Sequence, residues 1–168
     1  MPALVTAFLL IGSLLLLAAA LHDVMARTVP NGLAGALAAV GLGAQLAGGT
    51  ALLGVPVALA VFVAAALAWR RGLMGGGDVK LLGAAALLVP PMLVPTLLVA
   101  MALSGGVLGL FYLVARRRMP RPSGARPPGL LPRAWRIERW RLRRGGPLPY
   151  AVAIASGAFF ALSHGGLP

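Results

Sequence analysis

Residues 28–69 read TVPNGLAGALAAVGLGAQLAGGTALLGVPVALAVFVAAALAW, and no charged side chain occurs among them. A helix rises about 1.5 Å per residue, so about 20 apolar residues cross a hydrocarbon core about 30 Å thick. The stretch is therefore too long for one membrane span. The pair Gly48-Gly49 interrupts it, and adjacent glycines favour a turn. The sequence predicts two membrane helices here, over residues 32–47 and 51–69.

The same apolar pattern continues on both sides of this stretch. Only 11% of the 168 residues are charged and 60% are hydrophobic, unlike the composition of soluble domains. The pair Pro90-Pro91 divides a second long uncharged run, because proline removes a backbone donor and restricts the residue before it. We therefore expect an all-α polytopic membrane protein with about six transmembrane helices in one bundle. The four further helices are predicted at residues 4–21, 78–89, 92–115 and 148–163.

The basic residues lie on one side of this predicted bundle. Arg27 follows the first helix, and Arg70 and Arg71 follow the third. Eleven arginines and one glutamate lie between Arg116 and Arg144, after the fifth helix, and contribute +10 of the net charge of +12. The turns at the other side carry no charge. Because positively charged loops stay in the cytoplasm, we expect a multi-pass protein of the inner (plasma) membrane with both termini outside.

The arginine-rich segment is predicted to be a basic cytoplasmic loop, residues 116–147, within a single transmembrane domain that covers residues 1–168. A soluble nucleic-acid-binding protein would spread its basic residues over a folded surface, so no nucleic acid partner is expected. Trp135, Ile137 and Trp140 alternate with the arginines. This pattern is compatible with a basic helix on anionic lipid headgroups, and also with a positively charged anchor that has no further role.

Asp23 and Asp78 are the only two aspartates of the chain, and each lies at the cytoplasmic end of a predicted helix. An ionisable group at membrane depth is costly and therefore indicates function. Two carboxyl groups held about 3 Å apart share a proton. One can take a proton from water while the other protonates a peptide carbonyl, which hydrolyses the bond without a covalent intermediate. No metal or cofactor is expected, since cysteines are absent and only two histidines and three acids are present.

Three glycines, Gly75, Gly76 and Gly77, directly precede the second aspartate, and Lys80 follows it closely. Glycine allows close backbone approach, so this loop is predicted to hold a substrate strand by main-chain hydrogen bonds and to present it to Asp78. Two simpler interpretations remain open. The glycines also suit a plain turn, and an aspartate before an apolar helix is a favoured N-cap.

These residues resemble those of a known family. Residues 75–81, GGGDVKL, are similar to the extended GxGD motif of the type IV prepilin peptidases, which are intramembrane aspartic proteases. Asp23 is followed by RTVPN at residues 27–31, which resembles the setting of the family's first aspartate. Residues 147–155, PLPYAVAIA, are similar to a segment of the short Flp/Tad-type members. The three motifs occur in the expected order along nearly the whole chain.

The resemblance implies an aspartic endopeptidase that cleaves the leader peptide of prepilin-like precursors at the cytoplasmic face. Asp23 and Asp78 would be its catalytic pair, and its partner a hydrophobic helix with a basic leader. Larger members carry an insert with cysteines that is associated with methylation; this chain has no cysteine, so we expect peptidase activity without methyltransferase activity. Two alternatives are a small proton-coupled transporter that uses the same aspartates and a non-catalytic assembly factor packed through small residues.

Four residues near the aspartates are expected to support the site, and for two of them, Lys80 and Arg27, a simpler interpretation is also open. Lys80 could act on a carboxylate or orient a substrate carbonyl, or it could be an anchor at the membrane interface. Arg27 could pair with Asp23 at i+4 or only mark the cytoplasmic side. Pro30 and Asn31 are expected to shape the start of the second helix, with Asn31 as its cap.

Overall fold

The computed structural model describes residues 2–118 and 148–164, together with Gly129 between them. Over these residues the secondary structure is helical, and no strand is present in them. The predicted all-α fold is confirmed. The helices are α1 (Pro2–Ala26), α2 (Asn31–Ala47), α3 (Ala51–Arg70), α4 (Gly76–Leu88), α5 (Val94–Arg118) and α6 (Tyr150–His164), and a 3-10 turn at Pro91–Leu93 precedes α5.

The predicted helices differ from the observed ones by a few residues at their ends. The largest difference is at α1, which was expected to end at residue 21 but continues to Ala26. The apolar run ends at residue 21, but the helix continues until Arg27 adopts a left-handed conformation with φ 57°. Polar residues do not by themselves end a helix, whereas a left-handed residue does.

Three segments of the described chain are long and apolar enough to cross a membrane, namely Pro2–Ala26, Ala51–Arg70 and Pro91–Ala115. Two shorter helices, Asn31–Ala47 and Tyr150–His164, are also apolar. Large hydrophobic side chains such as Leu14 and Leu52 point outward from these helices. A surface of this kind is stable in lipid, so the protein is embedded in a membrane.

The chain divides into two compact units, Met1–Gly105 with Pro149–Pro168, and Gly106–Leu148. The first contains α1 to α4, the beginning of α5, and α6. In the second, the rings of Phe111 and Tyr112 meet edge to face with centroids 6.1 Å apart. Most of the basic loop lies outside the described residues, so its boundaries at 116–147, its lipid contacts and the single-domain interpretation stay predictions.

The short helix α4 lies at the centre of the first unit. It has only 13 residues, about 20 Å of helix, and more than half of them are buried against α1, α2, α3 and α6. Small residues make this packing close. A Cβ atom on Gly41 of α2 would lie 2.8 Å from the backbone nitrogen of Leu88, so a side chain there would push α2 and α4 apart.

The carboxyl end of α4 is held by Gln45 of α2, which is only 2% exposed. Its Nε2 donates hydrogen bonds to the carbonyl oxygens of Leu87 at 3.0 Å and Val89 at 3.1 Å. The Thr50 hydroxyl in turn donates to Gln45 Oε1. The last carbonyls of a helix have no partner within it, and lipid offers none. Gln45 therefore fixes the end of α4 to the turn between α2 and α3.

Candidate active site

Asp23 lies in the last turn of α1 and is 5% exposed. The Ala151 N–H, in the first turn of α6, donates to Asp23 Oδ2 at 3.2 Å. The first N–H groups of a helix have no partner within the helix, and their partial positive charge stabilises a carboxylate. Pro149, directly before α6, is also buried. The carboxyl group of α1 is therefore bound to the amino end of α6.

Asp78 is the third residue of α4 and is half-buried. Helix α4 begins at Gly76, and Gly75 is its N-cap residue. The Val79 N–H donates to the Gly75 carbonyl at 3.2 Å and closes the first turn. The N-cap interpretation of Asp78 is therefore wrong, because the helix begins two residues before it. The carboxyl group instead accepts a hydrogen bond from the Gly75 N–H, as the acidic residue of a capping box does.

The segment between α1 and α2 brings the two aspartates to the same end of the first unit. Val29 of this segment lies against Gly77, where an added Cβ would be 3.3 Å from the Val29 Cβ. The charges of Asp23 and Asp78 are close enough to act on each other. His22 stabilises the segment, since its Nδ1–H donates to the Thr28 carbonyl at 2.7 Å. The resulting site joins α1, α4 and α6.

The glycines before Asp78 leave room for its carboxyl group. A Cβ at Gly75 would lie 2.8 Å from Asp78 Oδ2, closer than real Cβ atoms approach. A Cβ at Gly76 would lie 3.4 Å from the indole nitrogen of Trp69, at the end of α3. A side chain at Gly75 would therefore compete for space with the carboxyl group, whereas a Cβ at Gly76 would make an ordinary contact with Trp69.

Arg27 ends α1 beside the first aspartate. Its N–H donates to the Asp23 carbonyl at 2.8 Å, and its positive charge acts on the Asp23 carboxyl group. The φ of 57° is uncommon for residues other than glycine, asparagine and aspartate. A glycine would adopt this backbone more easily, but it would lack the guanidinium group near the carboxylate.

Pro30, Asn31 and Lys80 form a polar corner at the start of α2. Pro30 is the N-cap residue of α2, and no side chain hydrogen-bonds the cap. The prediction that Asn31 caps this helix is wrong, because Asn31 is already helical and its Oδ1 accepts a hydrogen bond from Lys80 Nζ at 2.8 Å. Residues two apart on a helix point about 200° apart, so Lys80 and Asp78 lie on different faces of α4.

One feature of the site, the donor to Asp23, cannot be recognised from residue type alone. The donor to Asp23 is a backbone N–H of α6, so any residue other than proline could supply it at Ala151. Its only sequence signal is the Pro149 that precedes the helix.

Among the described residues, no group of three or more His, Asp or Glu side chains could hold a metal ion.

Comparison with known proteins identifies the family of the chain. A family model described as the type IV leader peptidase family matches residues 10–110, which is more than half of the chain and includes both aspartates. No curated protein and no solved structure gives a match. The matched region ends before α6, so the Ala151 contact lies outside it. The chain belongs to the type IV leader peptidase family and is a membrane-embedded peptidase.

Proposed function

We propose that the protein is an aspartic endopeptidase in which Asp23 and Asp78 activate one water molecule. The observation that carries this proposal is that α1 and α4 bring two carboxyl groups to the same end of the bundle, near enough for an electrostatic interaction between them. Both carboxyl groups also accept hydrogen bonds from backbone N–H groups, Asp23 from Ala151 and Asp78 from Gly75. These hydrogen bonds restrict the rotation of both carboxyl groups.

The reaction follows from two carboxyl groups that hold one proton between them. The ionised carboxyl group removes a proton from water as the water oxygen attacks the scissile carbonyl carbon. The protonated one gives its proton to the carbonyl oxygen, which forms a tetrahedral diol. Transfer of a proton to the amide nitrogen then breaks the C–N bond and releases the two peptide fragments. The pair returns to its starting protonation state, so the cycle consumes only water.

The glycine segment before Asp78 is proposed to bind the substrate backbone. The N–H groups of Gly76 and Gly77 lie in the first turn of α4, where they have no partner within the helix, and neither residue carries a side chain. An extended peptide can approach such a backbone closely and form main-chain hydrogen bonds with it. Lys80 lies on a different face of α4 from Asp78 and is hydrogen-bonded to Asn31. It is therefore less well placed than the glycines to contact the scissile bond.

The proposed substrate is a prepilin-like precursor, with a basic leader followed by a hydrophobic helix, cleaved at the cytoplasmic face. Three arginines lie at the end of the unit that carries the aspartates: Arg27 directly after α1, Arg70 as the last residue of α3, and Arg71 directly after it. Positive loops favour the cytoplasm, which supports a multi-pass inner-membrane orientation with the site inside and both termini outside. The family match favours this peptidase over a proton-coupled transporter.

Co-expression with a prepilin-like precursor tests the proposal. We expect Asp23→Asn and Asp78→Asn each to abolish leader removal, because asparagine nearly preserves the shape but cannot exchange the proton. Arg70→Gln is the matched control, since it neutralises an exposed charge outside the site and should leave processing intact. Immunoblots should show equal amounts of all four proteins. Processing that persists in either aspartate variant would exclude the two-carboxylate mechanism.

A further inference from the structure

A lateral groove of about 450 Å³ opens between α2, α3 and α4. The helices α2 and α3 both pack extensively on α4 but much less on each other, which leaves the groove between them. Its floor is α4, and its walls are the small residues of α2 and the apolar residues of α3. The residues that line it include Ala34, Gly35, Ala38, Leu59, Phe62 and Gly83.

The lateral groove lies on a different face of α4 from the aspartates. The α4 residues that line it are Lys80, Gly83, Ala84 and Leu87, at the i, i+3, i+4 and i+7 spacing of one helix face. Asp78 is two residues before Lys80 and so points about 200° away. An occupant of the groove would therefore lie across α4 from the candidate active site.

The polar groups of this groove are confined to one end. Lys80 and Asn31 are the polar residues among those that line it, and no acidic residue lines it. Lys80 is exposed, and its amine bonds Asn31 Oδ1 at 2.8 Å. An ammonium group has three donors, so the Asn31 contact leaves donors for a further acceptor. The groove thus combines a cationic end with an apolar body.

The size and the charge of the groove favour one of two occupants, a lipid or a substrate helix. A volume of about 450 Å³ lies within the range of pockets for small ligands, whereas a helix with its side chains is about 10 Å across. The charge of Lys80 attracts an anion and repels a basic leader. Basic pockets between membrane helices on the cytoplasmic side bind anionic headgroups. Both observations favour a lipid over a substrate helix.

We propose that the lateral groove binds one anionic phospholipid, with its phosphate at Lys80 Nζ and Asn31 and an acyl chain against Gly35 and Phe62. The proposal depends neither on the basic loop nor on the catalytic roles of the aspartates. The lipid would fill the wedge between α2 and α3 and so support α4 on the side opposite Asp78.

Lipid binding to the purified full-length protein tests the proposal by native mass spectrometry from detergent. The probes are phosphatidylglycerol and phosphatidylcholine with identical acyl chains. Lys80→Gln should reduce the preference for phosphatidylglycerol about fivefold, the usual contribution of one basic residue near a membrane surface. Arg70→Gln, at an exposed cation that does not line the groove, should leave the preference unchanged. Equal preference in wild type and Lys80→Gln would overturn the proposal.

A second pair of variants tests the apolar body of the groove. A Cβ at Gly35 meets nothing within 4 Å, so the backbone there accepts a side chain, and Gly35→Leu is expected to occupy part of the groove. It should remove one bound lipid of either headgroup per protein. Gly32→Leu is the matched control, because Gly32 is in the same helix and equally open but does not line the groove. An unchanged lipid count in Gly35→Leu would contradict the proposal.

The identity of the occupant in a membrane requires a third measurement. A photoreactive benzoylphenylalanine placed at residue 35 should cross-link to phospholipid when the protein is irradiated in phosphatidylglycerol vesicles that also contain a prepilin-like peptide. Cross-links to the peptide, in place of lipid, would assign the groove to the substrate helix and overturn the lipid site.

Discussion

Both ends of α4 have backbone groups without a partner inside the helix, but different residues lie beside them at the two ends. At the carboxyl end, the unpaired carbonyls are bound by Gln45, which is 2% exposed and belongs to another helix. At the amino end, the first turn is formed by glycines and carries Asp78, which remains half-buried. The carboxyl end is closed by a neutral amide, whereas the amino end keeps an ionisable group accessible. The difference is what we expect if the carboxyl end serves stability and the amino end the proposed chemistry.

The largest expected effect belongs to the amino end. Asp78→Asn should lower the rate of leader cleavage by about 10²- to 10⁴-fold, the usual contribution of general acid–base catalysis. The temperature of unfolding should change little, because the amide can still accept the Gly75 N–H. Cleavage of a fluorogenic leader peptide and thermal unfolding in the same detergent provide the two measurements. A large loss of stability in this variant would assign Asp78 a structural role.

The next effect belongs to the carboxyl end and should appear in stability. Gln45→Leu leaves the carbonyls of Leu87 and Val89 without donors in an apolar environment. We expect a loss of about 1–3 kcal/mol in the free energy of unfolding. Thr50→Val, which removes only the donor to Gln45, should cost less. Thermal unfolding gives the order of the three proteins, and equal stability of Gln45→Leu and wild type would refute the role of Gln45.

The close contact of α2 with the same end of α4 predicts a smaller loss. A Cβ at Gly41 would lie 2.8 Å from the Leu88 nitrogen, so Gly41→Ala should lower the free energy of unfolding by about 1–2 kcal/mol. Gly35→Ala in the same helix meets open space and should raise the free energy of unfolding by about 0.5 kcal/mol, because alanine has a higher helix propensity than glycine. Thermal unfolding should therefore show changes in stability of opposite sign for the two substitutions.

The smallest expected effect sharpens the amino end. Arg27→Gly suits the φ of 57° and should leave stability unchanged or slightly higher. It also removes the positive charge beside Asp23, so we expect the cleavage rate to fall by less than tenfold. Arg27→Gln removes the charge without relieving the backbone and should show the same fall in rate with lower stability than Arg27→Gly. Unchanged rates in both variants would leave Arg27 only as a marker of the cytoplasmic side.

Much of the fold was predictable because it depends on local properties. Uncharged runs of a given length form membrane helices, and the breaks at Gly48-Gly49 and Pro90-Pro91 follow from backbone chemistry. The two aspartates were predictable as a candidate pair because a charge is costly at membrane depth. These inferences need no knowledge of which helices touch.

The remaining features depend on contacts between distant helices and were therefore not predictable from one sequence. Ala151 contributes only its backbone, and 128 positions separate it from Asp23. The Asn31 amide was expected to cap its own helix, but the approach of α4 gives it Lys80 as a partner instead. Gln45 was an isolated polar residue until the end of α4 was placed beside it.

The hydrogen bond from α6 to Asp23 also has a consequence for biogenesis. Chains enter the membrane from the amino terminus onward, so both carboxyl groups are inserted long before residue 151 leaves the ribosome. Until then Asp23 lacks its backbone donor. We therefore expect the Asp23 carboxyl group to reach its hydrogen-bonded state only after α6 has been synthesised and has packed beside α1.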